Sequence, residues 1–126
     1  MNEAIQKKFQ QEVERLKGLQ KDSQKIIQSR QQLDAQLNEN TLVLEELQKL
    51  ESDANVFKLI GPVLVKQDTE EAKQNVQKRI EYIQGELKHC DTTLKDLNEK
   101  QESHKESIGK LQQQMQQMQV KAAMKA

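Results

Sequence analysis

Steps of four and three residues, taken alternately from Ile5, land on Ile5, Phe9, Glu12, Leu16, Leu19, Ser23, Ile26, Arg30, Leu33, Leu37, Asn40, Leu44 and Leu47. Nine of these thirteen positions are apolar. The same stepping from Val76 visits Ile80, Ile83, Leu87, Cys90, Leu94, Leu97, Gln101, His104, Ile108, Leu111, Met115 and Met118, and eleven of the thirteen are apolar if the thiol is counted. A seam position about every 3.5 residues keeps one stripe of a helix turned toward a partner, so the runs predict two long helices in a left-handed coiled coil. Each stripe covers 43 residues. At about 1.5 Å per residue each is roughly 65 Å long. Two equal stripes on one chain most simply fold back on each other as an antiparallel pair. Opposing a and d positions leave two registers, one setting Ser23 against Leu97 and the other against His104. The second is expected, because it pairs polar with polar.

Between the stripes, from about Ser52 to Gln67, the pattern changes. Val56-Phe57-Lys58-Leu59-Ile60 and Val63-Leu64-Val65 are β-prone runs on either side of Gly61-Pro62, which holds the only proline. That combination predicts a β-hairpin, and sixteen residues hold one hairpin and not two. Asp68 can cap the second helix, with Glu71 three residues on completing a capping box and Glu70 beside the positive helix end. The expected organisation is a single domain over residues 1–126, with helix 1 at about 3–51, the hairpin at about 55–67 and helix 2 at about 69–120. The fold class is mainly α: an antiparallel two-helix coiled-coil hairpin with one central β-hairpin.

An isolated two-stranded hairpin is marginal in water, and this one exposes apolar side chains beside unpaired strand edges. Val56, Phe57, Leu59, Ile60, Val63, Leu64 and Val65 are therefore the expected oligomerisation residues. Hairpins from several subunits would assemble a shared sheet or β-barrel.

Composition narrows the function. Charged residues make up 32% of the chain and aromatic ones 2%, and the mean hydropathy is −0.95. Such a chain cannot fill an ordinary globular core, and the regular seam favours a coiled coil over disorder. Twenty basic residues balance twenty acidic ones, and no basic stripe exists to neutralise phosphates, so no nucleic-acid partner is expected. The longest apolar stretch, near Leu59 to Val65, is too short to span a bilayer. The opening Met1-Asn2-Glu3-Ala4 lacks a charged segment followed by an apolar one, so no signal peptide is expected. Cys90 is the only cysteine, which fits a reducing compartment and a cytoplasmic location.

No chemistry converges. Cys90 and His104 lie fourteen residues apart on one helix, about 21 Å, far beyond hydrogen-bond reach. His89 points to another helix face. HExxH, paired CxxC and glycine-rich phosphate loops are missing, so no catalytic, cofactor or metal site is expected. Cys90 reads as a small seam hydrophobe. Gln101 and His104 read as a polar layer that sets register.

In an antiparallel pair both chain ends lie remote from the hairpin. Ile5, Phe9 and Val13 gather there with Met115, Met118, Val120 and Met124, set among six glutamines. Methionine is flexible and polarizable, so such a surface repacks around dissimilar apolar partners. These seven are the candidate client-binding residues. Against this stands the plainer reading that Met115 and Met118 continue the seam and the last residues fray.

The stretch Asn55 to Ile83, NVFKLIGPVLVKQDTEEAKQNVQKRIEYI, resembles the signature of beta-class prefoldin subunits. The likeness extends over the whole chain, although relatives often carry tyrosine where Phe57 stands. It implies a heterohexamer of two alpha-class and four beta-class subunits, whose hairpins form a β-barrel platform from which coiled coils hang as tentacles. It also implies an ATP-independent chaperone that holds unfolded clients, notably actin and tubulin, and passes them to the cytosolic chaperonin. Val56 to Lys66 would then be platform and the terminal apolar residues would hold clients. The rival is a structural or tethering coiled coil that holds no client; the apolar hairpin midway along the chain favours the chaperone.

Overall fold

The computed structural model describes residues 2–125; Met1 and Ala126, the outermost residues of the expected domain, lie outside the described residues. Element order is α1 (Asn2–Lys49), β1 (Val56–Ile60), β2 (Val63–Gln67) and α2 (Thr69–Lys125). The mainly α architecture with one antiparallel hairpin is the expected one. Helix α2 runs past the anticipated 120, because Val120-Lys121-Ala122-Ala123-Met124-Lys125 contains no helix breaker. Helix α1 stops at Lys49, where backbone bonds from Leu50 to Leu47 and from Ala54 to Glu51 turn the chain toward β1.

The chain divides into two compact units. One is Ser29–Cys90 and carries the hairpin; the other joins the beginning of α1, to Gln28, with α2 from Asp91 onward. Every seam position named above is buried or half-buried in its own unit.

In the hairpin unit, Leu47, Ala72, Val76 and Ile80 form a buried cluster with Leu37, Leu44 and Val56 packed against it, and Ile83, Leu87 and Cys90 are buried as well. Two polar seam residues here make bonds within α1. Arg30 pairs with Asp34 at 2.8 Å, and the Asn40 side-chain amide donates to the Gln36 carbonyl at 2.7 Å.

Helix α2 begins at a capped end. The Asp68 carboxylate accepts the Glu71 N–H at 3.2 Å, and the Asp68 carbonyl accepts the first helical bond, from Ala72, at 2.9 Å. This is the expected N-cap, and a cap of this kind contributes about 1 kcal/mol.

The terminal unit is built differently. Ile5 and Phe9 share a groove with Met115 and Met118, while Ser23 meets Gln101, so the two helical segments run antiparallel. Gln101 donates from Nε2 to Ser23 Oγ at 2.7 Å, and His104 pairs with Glu12. The hydrogen-bond partner of Ser23 is Gln101, which lies between Leu97 and His104 on the seam, and that of His104 is Glu12.

Candidate functional site

The hairpin is a two-residue connection with strands in the register Val56–Gln67, Phe57–Lys66, Lys58–Val65, Leu59–Leu64 and Ile60–Val63. Gly61 has φ of 57° and is followed by Pro62, whose φ is fixed negative, which is the arrangement of a type II′ turn. A Cβ at Gly61 would meet no atom within 4 Å. Its requirement for glycine is therefore one of backbone angle and not of space.

Paired residues share a face and successive pairs alternate. One face carries Phe57, Lys66, Leu59 and Leu64; the other carries Val56, Gln67, Lys58, Val65, Ile60 and Val63. Of the seven residues expected to mediate assembly, Val56 is half-buried against the helix cluster. The other six are exposed, with Leu59 at 67% and Leu64 at 65%. Both faces are therefore apolar and largely bare.

At the chain ends, Ile5, Phe9, Met115 and Met118 line a groove with Gln6 and Gln119. All four apolar residues are half-buried, as is Val13. Val120 and Met124 are exposed and stand outside that groove. The structure thus brings together four of the seven candidate client-binding residues.

The residues singled out for chemistry sit elsewhere. Cys90 is a buried free thiol of the hairpin unit, and in the terminal unit His104 is engaged by Glu12, which also lies 3.5 Å from Arg15. Among the described residues no group of three or more His, Cys, Asp or Glu could hold a metal ion. Among them, too, no helix is long and apolar enough to cross a membrane.

Sequence reasoning missed one surface. Leu42 and Val43 on α1 and Leu50 just after it are exposed beside the hairpin, because attention to the seam passes over apolar residues on its flank. The signal was the unbroken run Leu42-Val43-Leu44, which widens the stripe beyond what one partner helix covers.

The profile of the family described as prefoldin subunit matches residues 10–123. Prefoldin subunit 6 of Arabidopsis thaliana is 53% identical over 115 residues, covering 91% of this chain and 89% of that protein. Prefoldin subunit 6 of Homo sapiens is 48% identical over 123 residues, covering 98% and 95%. Among solved structures, the prefoldin beta subunit from Thermococcus strain KS-1 superposes with a TM-score of 0.75 at 28% identity, covering 80% of this chain and 89% of that one. Paired helical arms, a single bare hairpin and this similarity along nearly the whole length agree: the chain belongs to the prefoldin subunit family.

Proposed function

We propose that this chain is the beta-class, subunit-6-type member of a heterohexameric prefoldin, an ATP-independent chaperone of the cytoplasm. Its hairpin joins those of alpha-class and other beta-class subunits in a β-barrel platform. Its terminal unit captures unfolded proteins such as actin and tubulin, and the complex hands them to the cytosolic chaperonin. The observation that carries this reading is the groove at the chain ends, where Ile5, Phe9, Met115 and Met118 keep apolar surface half-open to solvent.

Each apolar side chain that a client covers is worth about 1.5–3 kcal/mol when fully buried. Several weak contacts at several arms add by avidity. The methionines suit such a role, since their unbranched thioethers repack around different partners.

The test removes the groove and keeps the platform. Trimming residues 1–9 and 115–126 from every copy of this subunit is expected to leave the hexamer assembled and to weaken suppression of aggregation of a denatured client. Assembly is checked on the same sample by native mass spectrometry. Full protection by an intact hexamer lacking these segments would remove client binding from the chain ends.

A further inference from the structure

The end of α1 and Leu50 just beyond it present a second apolar face. Leu42, Val43 and Leu50 are 60%, 47% and 40% exposed, and with Glu46 and the buried Leu47 they line a shallow groove. The spacing of 43, 46, 47 and 50 is that of one helical flank, and it lies beside the seam line through Leu44 and Leu47. Nothing in the hairpin unit covers it. Val43 also borders a second groove whose walls include Val56 and Phe57. The bare flank therefore adjoins the base of the hairpin, where Val56, Phe57, Lys58 and Gln67 line that groove.

Two observations bear on what occupies this shoulder. The first is that the hairpin has two apolar faces and the chain's own helices pack only against Val56 at its base. Pairing strand edges with a neighbour extends the sheet but leaves both faces to be covered. A shared barrel interior covers one of them, and the other still needs an apolar surface. The second is charge. Glu46 lines the shoulder groove, and exposed Glu45, Glu51 and Asp53 lie close to it along the chain with Lys49, while Arg79 borders the adjoining groove. From Asn55 to Gln67 the only ionisable side chains are Lys58 and Lys66, one on each face of the hairpin. An acidic-rimmed apolar shoulder matches an apolar strand pair that carries lysines.

We infer that the α1 shoulder of Leu42, Val43 and Leu50 is the docking surface for the β-hairpin of a neighbouring subunit, with the surrounding carboxylates receiving that hairpin's lysines. The inference rests on the proposed hairpin-mediated assembly. It adds that each subunit offers two unlike surfaces, a hairpin and a shoulder, so contacts around the platform run head to tail. Such an interface fixes the order of subunits more tightly than strand pairing alone, because backbone hydrogen bonds do not read side-chain identity.

The test is site-specific photocross-linking in the complex reconstituted with its partner subunits. A benzoylphenylalanine replaces Leu42 in one preparation and Leu59 in another, and the linked peptides are read by mass spectrometry. The expected result is that position 42 links to the hairpin segment of another subunit. Links from position 42 that stay within this chain, or that reach only helical segments of a neighbour, overturn the shoulder assignment. Position 59 reports separately on assembly. If it too fails to reach another subunit, hairpin-mediated assembly itself is wrong; if it links while position 42 does not, only the shoulder falls.

A second arm uses the exposed-site variant Leu42→Gln/Leu50→Gln, which keeps helix-forming residues in solvent-facing positions. It is expected to raise the concentration at which the complex dissociates by about tenfold or more. A matching variant, Glu46→Gln/Glu51→Gln, should flatten the dependence of that concentration on salt. Dissociation unchanged in both variants counts against the shoulder.

Discussion

The two units of this molecule carry the same repeat and bury it to different depths. In Ser29–Cys90 the α2 side of the seam is dry: Val76, Ile80, Ile83, Leu87 and Cys90 are buried, with Ala72 and Leu47 beside them, while Leu33, Leu37 and Leu44 on α1 are half-buried. In the terminal unit the buried residue is Ser23, and the apolar seam positions from Ile5 to Ile26 and from Leu94 to Met118 are half-buried. The reason lies in what surrounds the seam. Two helices alone cover about one side of each other's stripe, and a third element must close the flank. In the hairpin unit Val56 does so, and the small Ala72 sits within the same cluster. In the terminal unit the polar seam residues Ser23 and Glu12 reach across to Gln101 and His104. A heptad repeat thus says where helices meet and not how much water they exclude.

The comparison can be broken most forcefully at the hairpin. Leu59→Asp with Leu64→Asp would place two carboxylates where a neighbour must cover apolar surface, at a cost of several kcal/mol per buried charge. Assembly is expected to be lost, while circular dichroism keeps its helical signal because neither residue packs on the helices. An unchanged complex mass by sedimentation would remove the hairpin from the interface.

Paired truncations would sharpen the difference between the two seams. Ile83→Ala, in the dry unit, is expected to cost about 2–5 kcal/mol, as deep truncations of large aliphatic residues do. Ile108→Ala, at a half-buried position, should cost about half of that. Chemical unfolding of the two variants side by side checks the ranking. Equal losses would mean that the terminal seam is as dry in solution as the other.

The smallest effect concerns the polar bridge. Gln101→Ala leaves the buried Ser23 hydroxyl without its 2.7 Å partner, at about 1–3 kcal/mol. Replacing both, as Ser23→Leu with Gln101→Leu, is expected to recover that loss or exceed it, since two apolar groups satisfy each other. Hydrogen exchange in the terminal unit reads both outcomes. Protection unchanged in Gln101→Ala would show that the bridge contributes nothing to holding these helical segments together.

Much of this was legible along the chain. The alternating four-and-three stepping located buried or half-buried positions along both helices, though it began one step after the buried Ala72; Gly61-Pro62 located the turn, and Asp68 located the start of α2. The groove residues Ile5, Phe9, Met115 and Met118 were legible as well, because antiparallel folding of two equal stripes must bring them together. The polar partners were not: polarity pointed to Ser23 with His104, whereas Ser23 bonds Gln101 and His104 is engaged by Glu12. Val120 and Met124 looked like further members of the groove by composition, yet they fall outside the seam spacing and stay exposed. The shoulder of Leu42, Val43 and Leu50 went unread because apolar residues off the stripe look like ordinary surface until a bare hairpin is seen beside them.

By itself the sequence determined the elements and their pairing: two helices of matched stripe, one turn between two β-prone runs, one cap. These follow from local rules, since periodicity, turn chemistry and capping act within a few residues. Only the tertiary structure decided how dry each seam is, which polar residues bridge it, and which apolar flank is left bare. Those quantities depend on a third side chain closing a space between two others, and its contribution is set by reach and angle that no one-dimensional pattern encodes.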